Sequence, residues 1–293
     1  MKTIVITGYN GLLGKKLIEY LNENHNHNIF GIGRSKSNQI KVFSCDLGTS
    51  NWTLENFPPS CDVIIHLAQS SKFRDFPEEV EDVLHVNTLS TIKLLNYARK
   101  SNCKKFIYAS SGGIYGQDNK QFDENSLIEL KDLDLGFYLS SKICSEILIN
   151  NYKKILDVIS LRFFFIYGEQ QKDNMLIPRL VNRVLNNQEI TVDGREGLKI
   201  NPIHVDDAAK AVMASLNLKG SHVINVAGKE ILSLKEIVEI IAEKCEKSLY
   251  LKQLKNKEAK NIIADITKMK KLLHRPKITF TEGIQELISR YKT

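Results

Sequence analysis

Three glycines stand directly after the first apolar run of the chain, and they narrow its architecture more than anything else in it. Thr3-Ile4-Val5-Ile6-Thr7 leads into Gly8-Tyr9-Asn10-Gly11-Leu12-Leu13-Gly14. Residues 12–22 then place Leu13, Leu17 and Leu21 on one helical face. A strand that turns through glycines into a helix lets its backbone approach a pyrophosphate, which sits on the helix N-terminus. The spacing is G-x-x-G-x-x-G rather than the commoner dinucleotide spacing, so its position after the first strand carries the reading.

The rest of the first half fits that start. Apolar runs at 29–32, 40–43, 62–67 and 105–109 read as strands, and 80–99 reads as one long helix. A helix over 137–153 and a strand over 157–162 follow. Continuous apolar strands alternating with helices imply a parallel sheet covered on both faces, with right-handed crossovers. The expected class is α/β, a Rossmann-type doubly wound parallel sheet with a smaller C-terminal α/β substrate-binding region. After Tyr167 the pattern loosens into helix 175–185, the apolar Ile190-Thr191-Val192, and a turn with Gly194 and Gly197. Helix 206–216 has Asp206 or Asp207 as its expected N-cap. Helix 233–246, a basic connector and two terminal helices complete the chain. The expected division is a dinucleotide-binding domain over 1–166, to which helix 204–217 returns. Residues 167–203 and 218–293 form the substrate-binding region and the other wall of a cleft.

A chain of 293 residues buries enough core to need no disulfide or metal staple. No apolar run approaches the roughly 20 residues of a membrane helix, and Met1-Lys2 enters the glycine loop too soon for a signal peptide. The expectation is a cytoplasmic protein with no membrane partner. Cys45, Cys61, Cys103, Cys144 and Cys245 are scattered, odd in number and without a C-x-x-C pair, and read as incidental thiols in a reducing compartment. No metal site is expected; His25 and His27, in an Asn-rich stretch, are the nearest approach to one. The net charge of +7 owes much to lysines between 244 and 277, which read as a solvated helical face. No interleaved aromatics accompany them, so nucleic acid is not an expected partner.

The end of the second strand selects between dinucleotides. A carboxylate there binds a ribose 2′-hydroxyl, whereas an arginine accommodates a 2′-phosphate. Gly33-Arg34-Ser35-Lys36 offers cations and a hydroxyl, which favours NADP over NAD. Asp46, after the third strand, is placed to meet the adenine edge or to cap a helix after Leu47. Tyr138 and Lys142, four apart, share one helical face. Their helix opens the crossover after the strand that ends in Ser110-Ser111, and ligands of doubly wound sheets bind beyond the carboxyl ends of strands. A tyrosine near pKa ~10 is a poor base at neutral pH. A neighbouring ammonium and a positive nicotinamide favour the phenolate, and lowering the pKa by about three units takes roughly 4 kcal/mol. Ser111 would align the substrate oxygen.

In this order, the glycine loop, His66-Leu67-Ala68, Asn87, Ser110-Ser111-Gly112-Gly113-Ile114-Tyr115-Gly116 and Tyr138/Lys142 resemble the extended short-chain dehydrogenases/reductases. The nearest branch is the NAD(P)-dependent epimerase/dehydratase group acting on nucleotide sugars. Arg162-Phe163-Phe164-Phe165-Ile166-Tyr167-Gly168, Ile203-His204-Val205-Asp206-Asp207-Ala208 and Ile224-Asn225-Val226 extend the likeness along the chain. The resemblance implies Ser111, Tyr138 and Lys142 as catalytic residues. It implies cofactor contacts from Gly8, Asn10, Gly11, Leu12, Leu13, Gly14, Arg34, Ser35, Asp46, Leu47, Leu67, Ala68, Gln69, Asn87, Tyr138, Lys142 and Phe165. It also implies a homodimer built from helices 80–99 and 137–153, to which Tyr97, Ile143 and Ile147 would contribute, a core role within one subunit being the equal alternative.

The departures narrow the chemistry. Sugar 4,6-dehydratases of this family carry an Asp-Glu pair after the catalytic hydroxyl; here Gly112 and Gly113 stand there. An Asn that helps to bind the diphosphate is replaced by Phe165, and an Arg by Ile200. Either Arg179, Arg195 or Lys199 substitutes, beside Ser70, Ser111, Gly112 and Gly113, in holding a nucleotide-activated sugar, or the substrate is not a usual nucleotide sugar. Reduction of a 4-keto sugar nucleotide by NADPH, with Tyr138 as proton donor, is the favoured reaction. A 4-epimerase with tightly bound NAD is the alternative, and a dinucleotide-sensing protein without catalysis the third reading.

Overall fold

The computed structural model describes residues 1–23, 27–53, 55, 57–130, 135–254 and 259–291. Two compact units emerge. The first comprises Met1–Gly116, Ile128–Arg162 and Ala209–Ile224; the second comprises Gln117–Leu127, Phe163–Ala208 and Asn225–Thr293.

The main sheet contains β1 (Lys2–Thr7), β2 (His27–Gly33), β3 (Lys41–Ser44), β4 (Val63–His66) and β5 (Lys105–Ser111), followed by strands Asp157–Phe163 and His222–Val226. Its order is 222–226, 157–163, β5, β4, β1, β2, β3. β1 pairs in parallel with β2 (Ile4 opposite Ile29) and with β4 (Ile4 opposite Val63), and β4 with β5 (Val63 opposite Lys105). The chain steps outward from β1 to β3 and then crosses to the other side of β1. The switch point therefore lies between β1 and β4, the place where a doubly wound sheet opens a ligand crevice. Ile4, Val5, Ile6, Val63, Ile64 and Ile65 are all buried, as strands covered on both faces require.

Helix α1 (Leu12–Glu23) buries Leu13, Leu17 and Leu21, the face its spacing gives. The run 80–100 is not the single regular helix expected. A π-helical stretch, His85–Leu89, separates Val80–Leu84 from Ser90–Lys100. The carbonyl of Asn87 lies in this stretch and accepts from Thr91 Oγ1 (2.7 Å) and Ser145 Oγ (2.9 Å), so side chains take up a group of the local ladder.

The helix Val205–Ser215 starts one residue early, with both aspartates inside its first turn. Asp207 is not its cap. Its buried carboxylate accepts from the Lys277 N–H (2.8 Å), the Ile278 N–H (2.9 Å) and His274 Nε2 (2.7 Å), contacts that depress its pKa. Past the other end of this helix, the buried Lys105 ammonium donates to the carbonyls of Ser215, Leu216 and Leu218 at 3.0, 3.0 and 2.6 Å. It thereby satisfies acceptors that the last helical turn leaves open.

The second unit has its own apolar cluster. Val181 and Val184 from helix Leu176–Leu185, Ile237 and Ile241 from Leu234–Cys245, and Ile284 and Leu287 from Phe280–Ser289 meet in it. Capping boxes start two of these helices, Ser233 with Glu236 and Thr279 with Glu282. Short strand pairs tie the loops, Ile190–Asp193 with Leu251–Leu254 and Lys199–Ile200 with Leu232–Ser233. Among the described residues, no helix is long and apolar enough to cross a membrane, and no group of three His, Cys, Asp or Glu side chains is placed to hold a metal. His25 lies outside the described residues, and His27 begins β2.

Candidate active site

The glycine loop connects the carboxyl end of β1 to α1. Gly8 has φ +70°, and a Cβ there would lie 2.6 Å from the Ala68 nitrogen and 2.7 Å from the Leu67 carbonyl carbon. A Cβ on Gly14 would lie 2.2 Å from the Gly8 oxygen. The turn is thus closed against β1 and the segment after β4, and only glycine fits at either place. Gly11 differs: a Cβ there would meet only the Gly8 oxygen, at 3.2 Å, and the residue is exposed. Its open side, at the head of α1, is the cradle a pyrophosphate needs. Leu13 and Leu47 are buried, so only their backbones can face a ligand.

The segment after β4 is held from both sides. His66 is fully buried, with Nδ1 2.6 Å from Thr7 Oγ1 and Nε2 3.0 Å from Thr91 Oγ1. Burial, and secondarily the Lys142 charge, pull its pKa down to about 3, so it is a neutral hydrogen-bonding strut. Thr7 Oγ1 also accepts from the Ala68 N–H at 3.2 Å. Asn87 links this segment to the next helix: Oδ1 accepts from the Ser70 N–H (3.0 Å), and Nδ2 donates to Ser141 Oγ (2.8 Å), which donates to the Tyr138 carbonyl (2.6 Å). Ser70, expected at the substrate, is instead buried with its hydroxyl committed to Asp82.

Ser111, Tyr138 and Lys142 come together as their spacing predicts. Ser111 ends β5 and caps the 3₁₀ turn Gly112–Tyr115 by accepting from the Gly113 N–H at 3.2 Å. Tyr138 and Lys142 lie on helix Gly136–Asn150. The Lys142 ammonium donates to the Ala109 carbonyl at 2.8 Å and lies 5.7 Å from the centre of the Tyr138 ring. The Tyr138 hydroxyl donates to Gln69 Oε1 at 3.1 Å. Burial pushes the Tyr138 phenol up to about 12, against the pull of Ser111 as hydrogen-bond partner and of the Arg74 charge. Burial likewise brings Lys142 down to about 7, and Glu146 opposes that. Neighbouring Ser110 buries a hydroxyl with no hydrogen-bond partner among the described residues.

Several contributors were not singled out from the sequence. Phe73 packs on Tyr138 with ring centres 5.0 Å apart, and the Arg74 guanidinium lies 4.9 Å over Phe73. Glu146, one helical turn beyond Lys142, is gripped by Arg162 through two bonds of 3.0 and 2.7 Å, and Arg162 also donates to the Tyr115 hydroxyl at 2.6 Å. The four-residue spacing from Lys142 to Glu146 was the available signal; nothing in the sequence marks the loop that carries Phe73 and Arg74.

At the end of β2 the Tyr9 ring packs where Cβ atoms on Gly31 and Gly33 would stand, and its hydroxyl donates to the Ser35 carbonyl. Arg34 is exposed, with its guanidinium 3.9 Å from the Asp46 carboxylate. Asp46 caps no helix: Oδ1 accepts from the Gly48 N–H at 2.9 Å and closes a turn. A carboxylate thus stands beside Arg34, which weakens the case for a 2′-phosphate made from the strand-end residues alone.

Phe165, Arg179, Arg195 and Lys199 belong to the second unit. Phe165 has φ +43°, a left-handed backbone that bulky residues rarely adopt. Arg179 and Arg195 are exposed, and Lys199 pairs with Glu196 at 3.3 Å. Of the two roles open to Tyr97, the structure gives it the core one, with its hydroxyl donating to the Pro58 carbonyl at 2.8 Å.

Comparison with known proteins agrees with this geometry. The family described as NAD dependent epimerase/dehydratase matches residues 4–227. The chain is similar to a UDP-glucuronate 4-epimerase of Thermodesulfobacterium geofontis, 28% identical over 262 residues, covering 87% of this chain and 80% of that protein. It is also similar to a dTDP-4-dehydro-6-deoxyglucose reductase of Escherichia coli, 28% identical over 235 residues, covering 77% and 73%. The fold is shared with a UDP-glucuronic acid 4-epimerase from Bacillus cereus solved in complex with NAD, with a TM-score of 0.86 at 24% identity, covering 99% of this chain and 96% of that one. With a glycine cradle at the switch point and Ser111, Tyr138 and Lys142 at the carboxyl edge of the sheet, the chain belongs to the NAD dependent epimerase/dehydratase family, extended short-chain dehydrogenases/reductases acting on nucleotide sugars.

Proposed function

We propose that the chain is a 4-epimerase of a nucleotide-activated sugar, most simply a UDP-sugar, that keeps its NAD through the cycle. The observation that carries this reading is the assembly of Ser111, Tyr138 and Lys142 on the first unit, with Gly112 and Gly113 following Ser111. Two glycines supply neither the acid nor the base that loss of water requires, so dehydration is disfavoured. The Gly8–Gly14 loop, with Ala68, Gln69 and Lys142, would hold NAD, which would supply hydride transfer when bound, and Asn87 would position the segment that lies against it.

The protein's part is proton handling. Tyr138 receives the proton of the sugar 4-hydroxyl and returns it, while Ser111 hydrogen-bonds the same oxygen. The substrate hydroxyl takes the place of Gln69 as partner of Tyr138. Lys142, fixed on the Ala109 carbonyl, holds a positive charge beside the phenol and favours its ionised form. The second unit carries the substrate-binding region, with Arg179, Arg195 and Lys199 as candidate diphosphate contacts. Exposed Leu84, Leu89 and Ile92 on the helical run 80–100 and exposed Ile147 on helix Gly136–Asn150 support a homodimer.

Net reduction of a 4-keto sugar nucleotide is the second reading, favoured by exposed Arg34 at the end of β2. One experiment separates them. The purified protein is incubated with UDP-hexoses and traces of NAD, and products are followed by NMR. Interconversion of C4 epimers with no net change in NADH is the expected result. Stoichiometric NADPH consumption with a 4-keto substrate, lost in Arg34→Ala, would move the assignment to the reductase.

A further inference from the structure

Cys61 and Cys103 are far apart in the sequence, yet the sheet brings them together. Val63 of β4 stands opposite Lys105 of β5, and each cysteine lies two residues before its strand's partner in that pair. Their thiols are set the same way: Cys61 Sγ donates to the Val63 carbonyl at 3.1 Å, and Cys103 Sγ to the Lys105 carbonyl at 3.1 Å. The ladder begins at this pair: the Lys104 and Lys105 N–H groups both bond the Asp62 carbonyl, at 3.0 and 3.2 Å, and Cys103 Sγ lies 3.4 Å from the same oxygen, which sets Cys103 beside the residue that follows Cys61. The nearness of the two thiols raises the pKa of Cys61 and lowers that of Cys103. Both are buried in the apolar cluster that holds Phe57, Leu95 and Tyr97. Of the other cysteines, Cys144 is exposed, while Cys45 and Cys245 are buried.

We propose that Cys61 and Cys103 form a reversible dithiol–disulfide site that, when oxidised, pins β4 to β5 at their amino ends. Opposed residues on neighbouring strands are about 4.8 Å apart, inside the Cα separation a disulfide spans. The oxidant is a small disulfide. The Cys103 thiolate attacks one of its sulfurs and expels one thiolate, which takes up a proton. Cys61 then gives up its proton and attacks the Cys103 sulfur of the mixed disulfide, expelling the second thiolate, which is protonated in turn. In sum, the protein loses two hydrogens and the small disulfide becomes two thiols. His66 and Ser111 end the same two strands at the opposite edge, so the cross-link leaves the catalytic groups in place.

The test uses the full-length protein and oxidised glutathione, with free thiols then alkylated and peptides mapped without reduction. The expected map links the Cys61 and Cys103 peptides, leaves Cys45 and Cys245 as thiols, and finds glutathione on Cys144. Tm should rise by roughly 5 °C and return on addition of dithiothreitol, with no rise in Cys61→Ser or Cys103→Ser. Recovery of Cys61 and Cys103 as free thiols while Cys144 is modified would overturn the proposal, as would glutathione retained on either without closure. The map of the unmutated chain decides the matter even if a serine variant fails to fold.

Discussion

Tyr138 and Lys142 form a pair whose two members are both pushed by burial toward neutrality. Replacing Tyr138 by Phe removes one hydroxyl and keeps the ring on Phe73. Turnover should fall by 10²–10⁴-fold, the usual worth of a positioned acid–base group. NAD affinity, measured by titration, should stay within about twofold of the unmutated value; a matching loss of NAD affinity would reassign Tyr138 to cofactor binding. Lys142 gives a stability test with a definite sign. Its folded pKa, about 7, lies below the 10.5 of a free lysine, so the folded state resists protonation that the unfolded chain accepts. Its contribution is full above about pH 10.5 and is lost as pH falls toward 7. Lys142→Met should therefore flatten the dependence of Tm on pH between 7 and 10. An unchanged slope would show that the ammonium is solvated in the folded state.

Elements differ in how much of them could be read from the sequence. β1, α1, β4 and β5 were legible because each satisfies its burial pattern locally: continuous apolar residues for strands, a 3.6-residue repeat for α1. The glycine loop was legible for the same reason, since Gly8 and Gly14 answer to backbone a few residues away or to the neighbouring strand. What escaped depends on partners distant in sequence. The Asn87 carbonyl in the π-helical stretch accepts from Ser145, 58 residues on, and Asp207 serves a backbone segment about 70 residues away instead of its own helix. Two-residue strands such as Ile203–His204 carry no periodicity at all. A strand-end sequence also does not show that Asp46 stands 3.9 Å from Arg34. Lys105 is a similar case: within an apolar strand it looks like an interruption, yet it serves three carbonyls past the end of helix Val205–Ser215. Lys105→Met should cost about 2–4 kcal/mol, because buried acceptors lose their donor. Urea unfolding measures this, and a loss below about 0.5 kcal/mol would mean that water replaces the ammonium.

At the scale of the whole molecule the two units should respond to acid for different reasons. In the first unit the sensitive groups are buried bases. His66 has a folded pKa of about 3 against the 6.5 of a free histidine, so its stabilising contribution is full above pH 6.5 and drains away as pH falls toward 3. Lys142 has already lost its contribution by pH 7. In the second unit the groups shifted in the acid range are carboxylates: Asp207, Glu236, Asp265 and Glu282 all have pKa values below the ordinary 3.8 of aspartate or 4.5 of glutamate. Their contributions are complete above about pH 4.5 and are lost only as pH falls through the lower folded values. Acid should thus loosen the first unit while the second still holds. Trp52 is the sole tryptophan and lies in the first unit, stacked on Phe57 at 6.1 Å beneath the Lys93 ammonium. Its emission reports that unit, whereas far-ultraviolet circular dichroism reports helices of both. On titration from pH 7 to 3, the Trp52 transition should come at higher pH than the main loss of dichroism. Coincident transitions below pH 4 would show that carboxylates alone govern acid stability and that His66 takes up its proton without unfolding its surroundings.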